Sequence, residues 1–93
     1  HSTPHKEDMI MYVINSEDVL SGEVFSCVLG DKKFDTEEEA IQYATEDILE
    51  NYAEDLEDLE ITEADIKKSF KDRGVFEFKS WSGNTYEYEI EEV

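Results

Sequence analysis

Four carboxylates, Glu46, Glu50, Glu54 and Asp58, recur at intervals of four residues, with Asp47, Asp55 and Glu57 beside them. On an α-helix that spacing lines one face with negative charge at steps of about 6 Å. Such a row can condense cations, or it can present a regular array of anions to a basic protein surface. Each like-charged pair costs roughly 0.2–0.5 kcal/mol, and no Lys or Arg occurs between Lys33 and Lys67 to offset the repulsion. Small domains have little stability to spare, so a row kept at that cost points to recognition rather than to folding.

Other chemistry is thinly provided for. Both histidines, His1 and His5, lie in a polar N-terminal stretch, which leaves none for a triad or a general base. Cys27 lies within an apolar run, so it is expected in the core and not as a nucleophile. No Asp-rich Ca²⁺ loop with its central Gly occurs, nor any Cys/His zinc spacing or Gly-rich phosphate loop. The expectation is a non-enzymatic protein with no metal site and no cofactor. Carboxylates are so numerous that no pair of them singles itself out, and an enzyme reading requires a pocket that encloses perturbed ones. Trp81 stands beside Ser82-Gly83-Asn84, and is either a ring lying over the sheet or Lys79, or an aromatic anchor in a protein interface.

The elements that must hold these groups follow from periodicity. Residues 1–8 are polar, carry the one Pro, and read as a flexible leader or a cloning remnant ahead of a single α+β domain over 9–93. The apolar run Met9–Ile14 predicts a buried strand, Asn15–Gly22 a turn region, and Glu23–Leu29 a second strand paired antiparallel with the first. Lys32-Lys33-Phe34 is suited to a short edge. At Asp35-Thr36 the period changes: Thr36 with Glu39 forms a capping-box pattern. Apolar residues from Ile41 to Leu56 then recur every three or four positions, which predicts one amphipathic helix of about six turns. Ile61, Thr62, Asp65 and Ile66 predict the staple and cap of a second helix that Gly74 ends. Val75–Trp81 and Thr85–Glu91 alternate with period two and form a hairpin. A three-residue loop, Ser82-Gly83-Asn84, sets Phe78 opposite Tyr88 and Phe76 opposite Ile90. The order is therefore β-β-α-α-β-β, an antiparallel sheet with two helices on one face. The other face, with Glu77, Lys79, Trp81, Glu87, Glu89 and Glu91, is expected to be wet and acidic.

Charge narrows the function classes. The chain has 93 residues and a formal net charge of −18, which excludes electrostatic binding to a phosphate backbone or an anionic membrane. Hydrophobic residues at 39% exclude a disordered acidic tail. No apolar stretch approaches the ~20 residues of a membrane span, and the single Cys suits a reducing compartment, so a cytoplasmic protein is expected. Residues 35–65 hold fourteen acids and no base, whereas Lys67, Lys68, Lys71 and Arg73 are grouped just after them. Adaptation to high salt or simple solubility spreads acids over all exposed surfaces; segregation of this kind favours a recognition face.

In the run from Glu37-Glu38-Glu39 through Glu46-Asp47, Glu50 and Glu54-Asp55 to Glu57-Asp58 and Glu60, the chain resembles the acidic DNA-mimic inhibitors of phages and mobile elements, including anti-restriction and anti-CRISPR proteins. That resemblance is to a functional class of unrelated folds, covers about a third of the chain, and rests on charge. It implies an inhibitor that occupies the basic DNA- or RNA-binding surface of a nuclease or defence effector in the host cytoplasm. The binding residues on this reading are Glu46, Asp47, Glu50, Glu54, Asp55, Glu57, Asp58 and Trp81. An immunity protein or antitoxin that neutralises one basic nuclease toxin is the alternative, and monomer and homodimer both stay open.

Overall fold

The computed structural model describes residues 10–31 and 33–93. The proposed leader and Met9 lie outside the described residues. Strands β1 (Tyr12–Leu20) and β2 (Glu23–Val28) are followed by a short 3-10 turn, Leu29–Asp31. Helices α1 (Glu37–Asn51), α2 (Ala53–Asp58) and α3 (Glu63–Arg73) come next, then strands β3 (Val75–Lys79) and β4 (Thr85–Glu92). All pairings are antiparallel and the sheet order is β2-β1-β4-β3. This is the expected α+β architecture, with three departures that matter for the surface.

The first concerns β1. The stretch Asn15–Leu20, expected to turn, continues the strand, and only Ser21-Gly22 turns. Pairing explains why polar residues are strand here. As the central strand, β1 bonds to β2 through Asn15–Leu20 and to β4 through Tyr12–Val19, which satisfies its backbone on both sides. Ser21 and Gly22 both take positive φ, 55° and 85°, as a two-residue hairpin turn requires.

The second is the long helix, which breaks at Tyr52 (φ −128°, ψ 30°) into α1 and α2. No Gly or Pro marks the site. The Tyr52 ring turns instead onto the sheet, with centroids 4.5 Å from Tyr86 and 5.3 Å from Phe78. An aromatic pair of this kind is worth about 0.5–1.5 kcal/mol beyond its buried area, enough to override the propensity of one residue to stay helical.

The third is the β3–β4 register. Phe76 faces Tyr88 and Phe78 faces Tyr86, two residues from the expected pairing. The loop does have three residues, but they are Trp81-Ser82-Gly83. Ser80 N–H bonds the Asn84 carbonyl, Gly83 N–H bonds the Ser80 carbonyl, and Gly83 takes φ 96° as the left-handed residue of a bulged turn. A shift of two keeps every side chain on its expected face.

The three helices lie on one face of the sheet. Ile14, Phe76, Phe78 and Tyr88 from the strands meet Ala40, Ile41, Ala44 and Ile48 of α1, Leu56 of α2, and Ile66 and Phe70 of α3. Capping follows the sequence closely. The Thr36 hydroxyl accepts from Glu39 N–H (3.1 Å). Thr62 and Asp65 complete a reciprocal capping box at 3.0 and 3.2 Å, and Gly74 closes α3 at φ 75°. Of the short edge expected at Lys32-Lys33-Phe34, only Phe34 pairs, in a single bridge to Tyr12, and Lys32 lies outside the described residues. Cys27 is corrected: it is exposed, because β2 is an edge strand along which every residue is exposed.

Candidate functional site

The break at Tyr52 divides the predicted carboxylate row. Glu46 and Glu50 stand one turn apart on the exposed side of α1, while Glu54 and Asp58 stand one turn apart on α2. Two short segments of acid therefore replace one straight row. Glu57 joins the exposed set and Asp55 is half-buried. Gln42 Nε2 donates to the Glu46 carboxylate at 2.7 Å, which holds that group in place without neutralising it.

Asp47 has a different environment from its neighbours. It is half-buried, and its carboxylate accepts from the Tyr88 hydroxyl at 3.3 Å. Burial, together with Tyr52, Asp47 and Asp18 nearby, pushes the Tyr88 phenol well above its ordinary range, so it stays a neutral donor. Asp47 thus anchors α1 to β4 as well as adding charge. Helical spacing sets Asp47, three residues after Ala44, at the border of the apolar stripe and Glu46 opposite it, but gives no sign of the Tyr88 partner.

Trp81 is 83% exposed, so it does not lie over the sheet. Its hairpin tip sits at the end of the sheet where β1 turns into β2, since Thr85 pairs with Val19. Tyr52 packs on Phe78 and Tyr86, the residues flanking that tip, so the α1–α2 junction lies at the same end. Trp81 and the acids of α2 are consequently grouped at one pole of the molecule.

A second acidic surface occupies the open face of the sheet. Glu17, Glu87 and Glu77 lie directly opposite one another across β1, β4 and β3, at strand spacings of about 4.8 Å. Glu89 and Glu91 extend the patch along β4, where Asn15 donates to Glu91. Desolvation raises the Glu87 carboxyl above its ordinary value, and Glu77, Glu17 and Glu89 raise it further by repulsion. The alternation in β4 foretold this face, but Glu17 was not foreseen, because its stretch read as a turn. A groove of about 360 Å³ lies here, lined by Asn15, Glu17, Ser26, Val28, Glu87 and Glu89 among others.

Cations answer little of this charge. Among the described residues there is one ion pair, Lys67 with Glu63 at 2.9 Å. Lys67 and Lys71 border a small hollow with Glu38, Ile41 and Gln42, so the basic patch of α3 lies against the first turns of α1. Arg73 is engaged at its own helix end, donating to the Ser69 hydroxyl at 3.1 Å. Among the described residues no three His, Cys, Asp or Glu side chains converge as metal ligands, and no helix is long and apolar enough to cross a membrane. Comparison with protein-family models, curated proteins and solved structures returns no match to this chain, so the surface must be interpreted from its own geometry.

Proposed function

We propose that this protein is a non-enzymatic acidic inhibitor that imitates the charge of a nucleic acid and occupies the basic DNA- or RNA-binding surface of another protein, such as a bacterial defence nuclease. The observation that carries the reading is a net charge of −18 answered by one ion pair among the described residues. Carboxylates held apart from cations are available to a partner's Lys and Arg, the same groups that bind phosphates. Glu46, Glu50, Glu54, Glu57 and Asp58 form the proposed contact, with Trp81 at the same pole as an apolar anchor. Asp47 ties α1 to β4 beneath that surface, and Asp55 is half-buried at its margin. A partner reached through so many charges associates quickly, and its on-rate falls with salt.

The test has two stages. Capture from a bacterial lysate at low salt should enrich basic nucleic-acid-binding proteins that high salt releases. Against such a partner, wild-type protein should compete with duplex DNA. The Glu46→Lys, Glu50→Lys, Glu54→Lys, Asp58→Lys variant should lose competition by at least about 100-fold, the scale of 2.7 kcal/mol, with its circular dichroism unchanged. Undiminished competition by that variant rules out mimicry through α1 and α2.

The high exposure of Trp81, 83%, favours a second form of the same reading, an immunity protein fitted to one nuclease toxin. Such a contact is more shape-specific, so Trp81→Ala should then weaken binding more than any single acid substitution.

A further inference from the structure

Strand β2 contrasts with the rest of the molecule. All six of its residues are exposed, Val24 at 59%, Phe25 at 51% and Val28 at 46%, and it forms one edge of the sheet. From Val24 to Gly30 there is no charged side chain, in a chain that is 37% charged. The opposite edge, β3, is shorter and carries exposed Glu77 and Lys79, the usual guard against edge pairing. On β2 the one charge, Glu23, stands at the first position beside the turn, and the apolar remainder is a template for another strand.

The hairpin turn fixes which backbone groups are available. Leu20 and Glu23 flank the two-residue turn and form a hydrogen-bonded pair, as do Asp18 with Phe25 and Ser16 with Cys27 two and four residues on. The N–H and C=O groups of Val24, Ser26 and Val28 therefore point away from β1. Read about Ser26, the strand Val24-Phe25-Ser26-Cys27-Val28 has nearly the same side-chain character in both directions.

We propose that β2 pairs antiparallel with β2 of a second copy of this chain, centred on Ser26, joining two four-stranded sheets into one of eight. In that register Val24 faces the second copy's Val28, Phe25 faces its Cys27, and the two Ser26 residues form the central hydrogen-bonded pair. Apolar groups meet on both faces and every outward backbone group is satisfied. The twofold axis runs perpendicular to the sheet, so both open acidic faces lie on the same side. Three strand spacings, about 14 Å, separate Glu17 from its counterpart. That exceeds the Debye length of about 8 Å at physiological salt, so the charges oppose pairing weakly there and strongly at low salt. Dimerisation should therefore tighten with salt, the reverse of binding to a basic partner, so the two readings can fail separately.

Sedimentation equilibrium up to ~1 mM protein, a range that reaches weak dimers, at about 50 and 500 mM salt is the test. The expected result is a monomer–dimer equilibrium that is tighter at the higher salt. Ser26→Pro removes one outward N–H and leaves the bonds to β1 intact, and Val24→Lys places a charge at the contact. Each should weaken the dimer by at least about tenfold, or 1.4 kcal/mol. A Phe25→Cys variant should cross-link to the second copy's Cys27 on oxidation, since that non-hydrogen-bonded pair has Cα atoms about 4.5 Å apart. A monomer at all concentrations and both salts overturns the proposal, as does a dimer that neither substitution weakens. Loss of a different captured protein on Val24→Lys, with wild type monomeric, assigns the edge to a foreign strand and also overturns it.

Discussion

Asp18 is the least comfortable residue in the sheet. It points to the helix side of β1, opposite Phe25 on one neighbour and Tyr86 on the other, and its Oδ1 is buried without a hydrogen-bond partner. Desolvation raises its carboxyl above the ordinary value of 3.8. A carboxyl whose folded pKa exceeds its unfolded one favours the folded state at acid pH, and that contribution is lost as pH rises through the folded value. At neutral pH the ionised group is therefore a cost. Asp18→Asn keeps the Oδ1 acceptor but removes the charge, so it should raise stability near neutrality, with the gain shrinking toward about pH 4. Thermal melts at the two pH values check this, and an equal gain at both rules out ionisation as the cause. Nothing in the sequence marked Asp18, because it fell in a stretch whose Asn, Ser and Asp content reads as a turn. Pairing on both edges of β1 made that stretch strand, and pairing is a long-range event that local composition does not encode.

Among the elements, the helices show what sequence can and cannot convey. Both ends of α3 were legible, since Thr62, Asp65 and Gly74 act on their own backbone within a few residues. The break between α1 and α2 was not, because Ile48, Tyr52 and Leu56 keep helical spacing straight through it. Only the destination of the Tyr52 ring, among Phe78, Tyr86 and Tyr88 of the distant hairpin, explains the break. Packing and propensity make opposite predictions for Tyr52→Ala. Alanine is the best helix former, so propensity alone would stabilise a continuous helix. Removal of an aromatic ring from this cluster should instead cost about 2–4 kcal/mol. Urea unfolding decides the sign. The candidate site depends on the same break: it turns a straight row of acids into two segments and places α2 at the pole that Trp81 shares. The identities of the acidic residues were legible, but their grouping was not.

At the scale of the whole molecule, the charge should govern the response to solvent. One ion pair among the described residues leaves little attraction for salt to screen, whereas the repulsion across Glu17, Glu87 and Glu77 is extensive. Added salt should therefore raise the urea midpoint over the range in which the Debye length falls from about 30 Å to 8 Å. Acid should act in the same direction at first. The raised carboxyls of Glu87 and Asp18 take up protons in the folded state before the unfolded chain does, so stability climbs as pH falls through their folded values. Asp65 opposes this at lower pH. Its carboxylate accepts the Thr62 backbone N–H, which holds its pKa down, so its contribution is present above the unfolded value and is lost as pH falls through the folded one. Stability against pH should thus pass through a maximum on the acid side of neutrality, with the decline below it setting in as the α3 cap is protonated. Glu87→Gln should raise the neutral limb and leave the acid limb unchanged, whereas Asp65→Asn should lower stability at neutrality, where the capping carboxylate acts in full, and flatten the acid decline. Urea midpoints across about pH 3 to 8 test the scheme, and a midpoint that falls steadily from neutrality downward would show that repulsion among these carboxylates does not limit the fold.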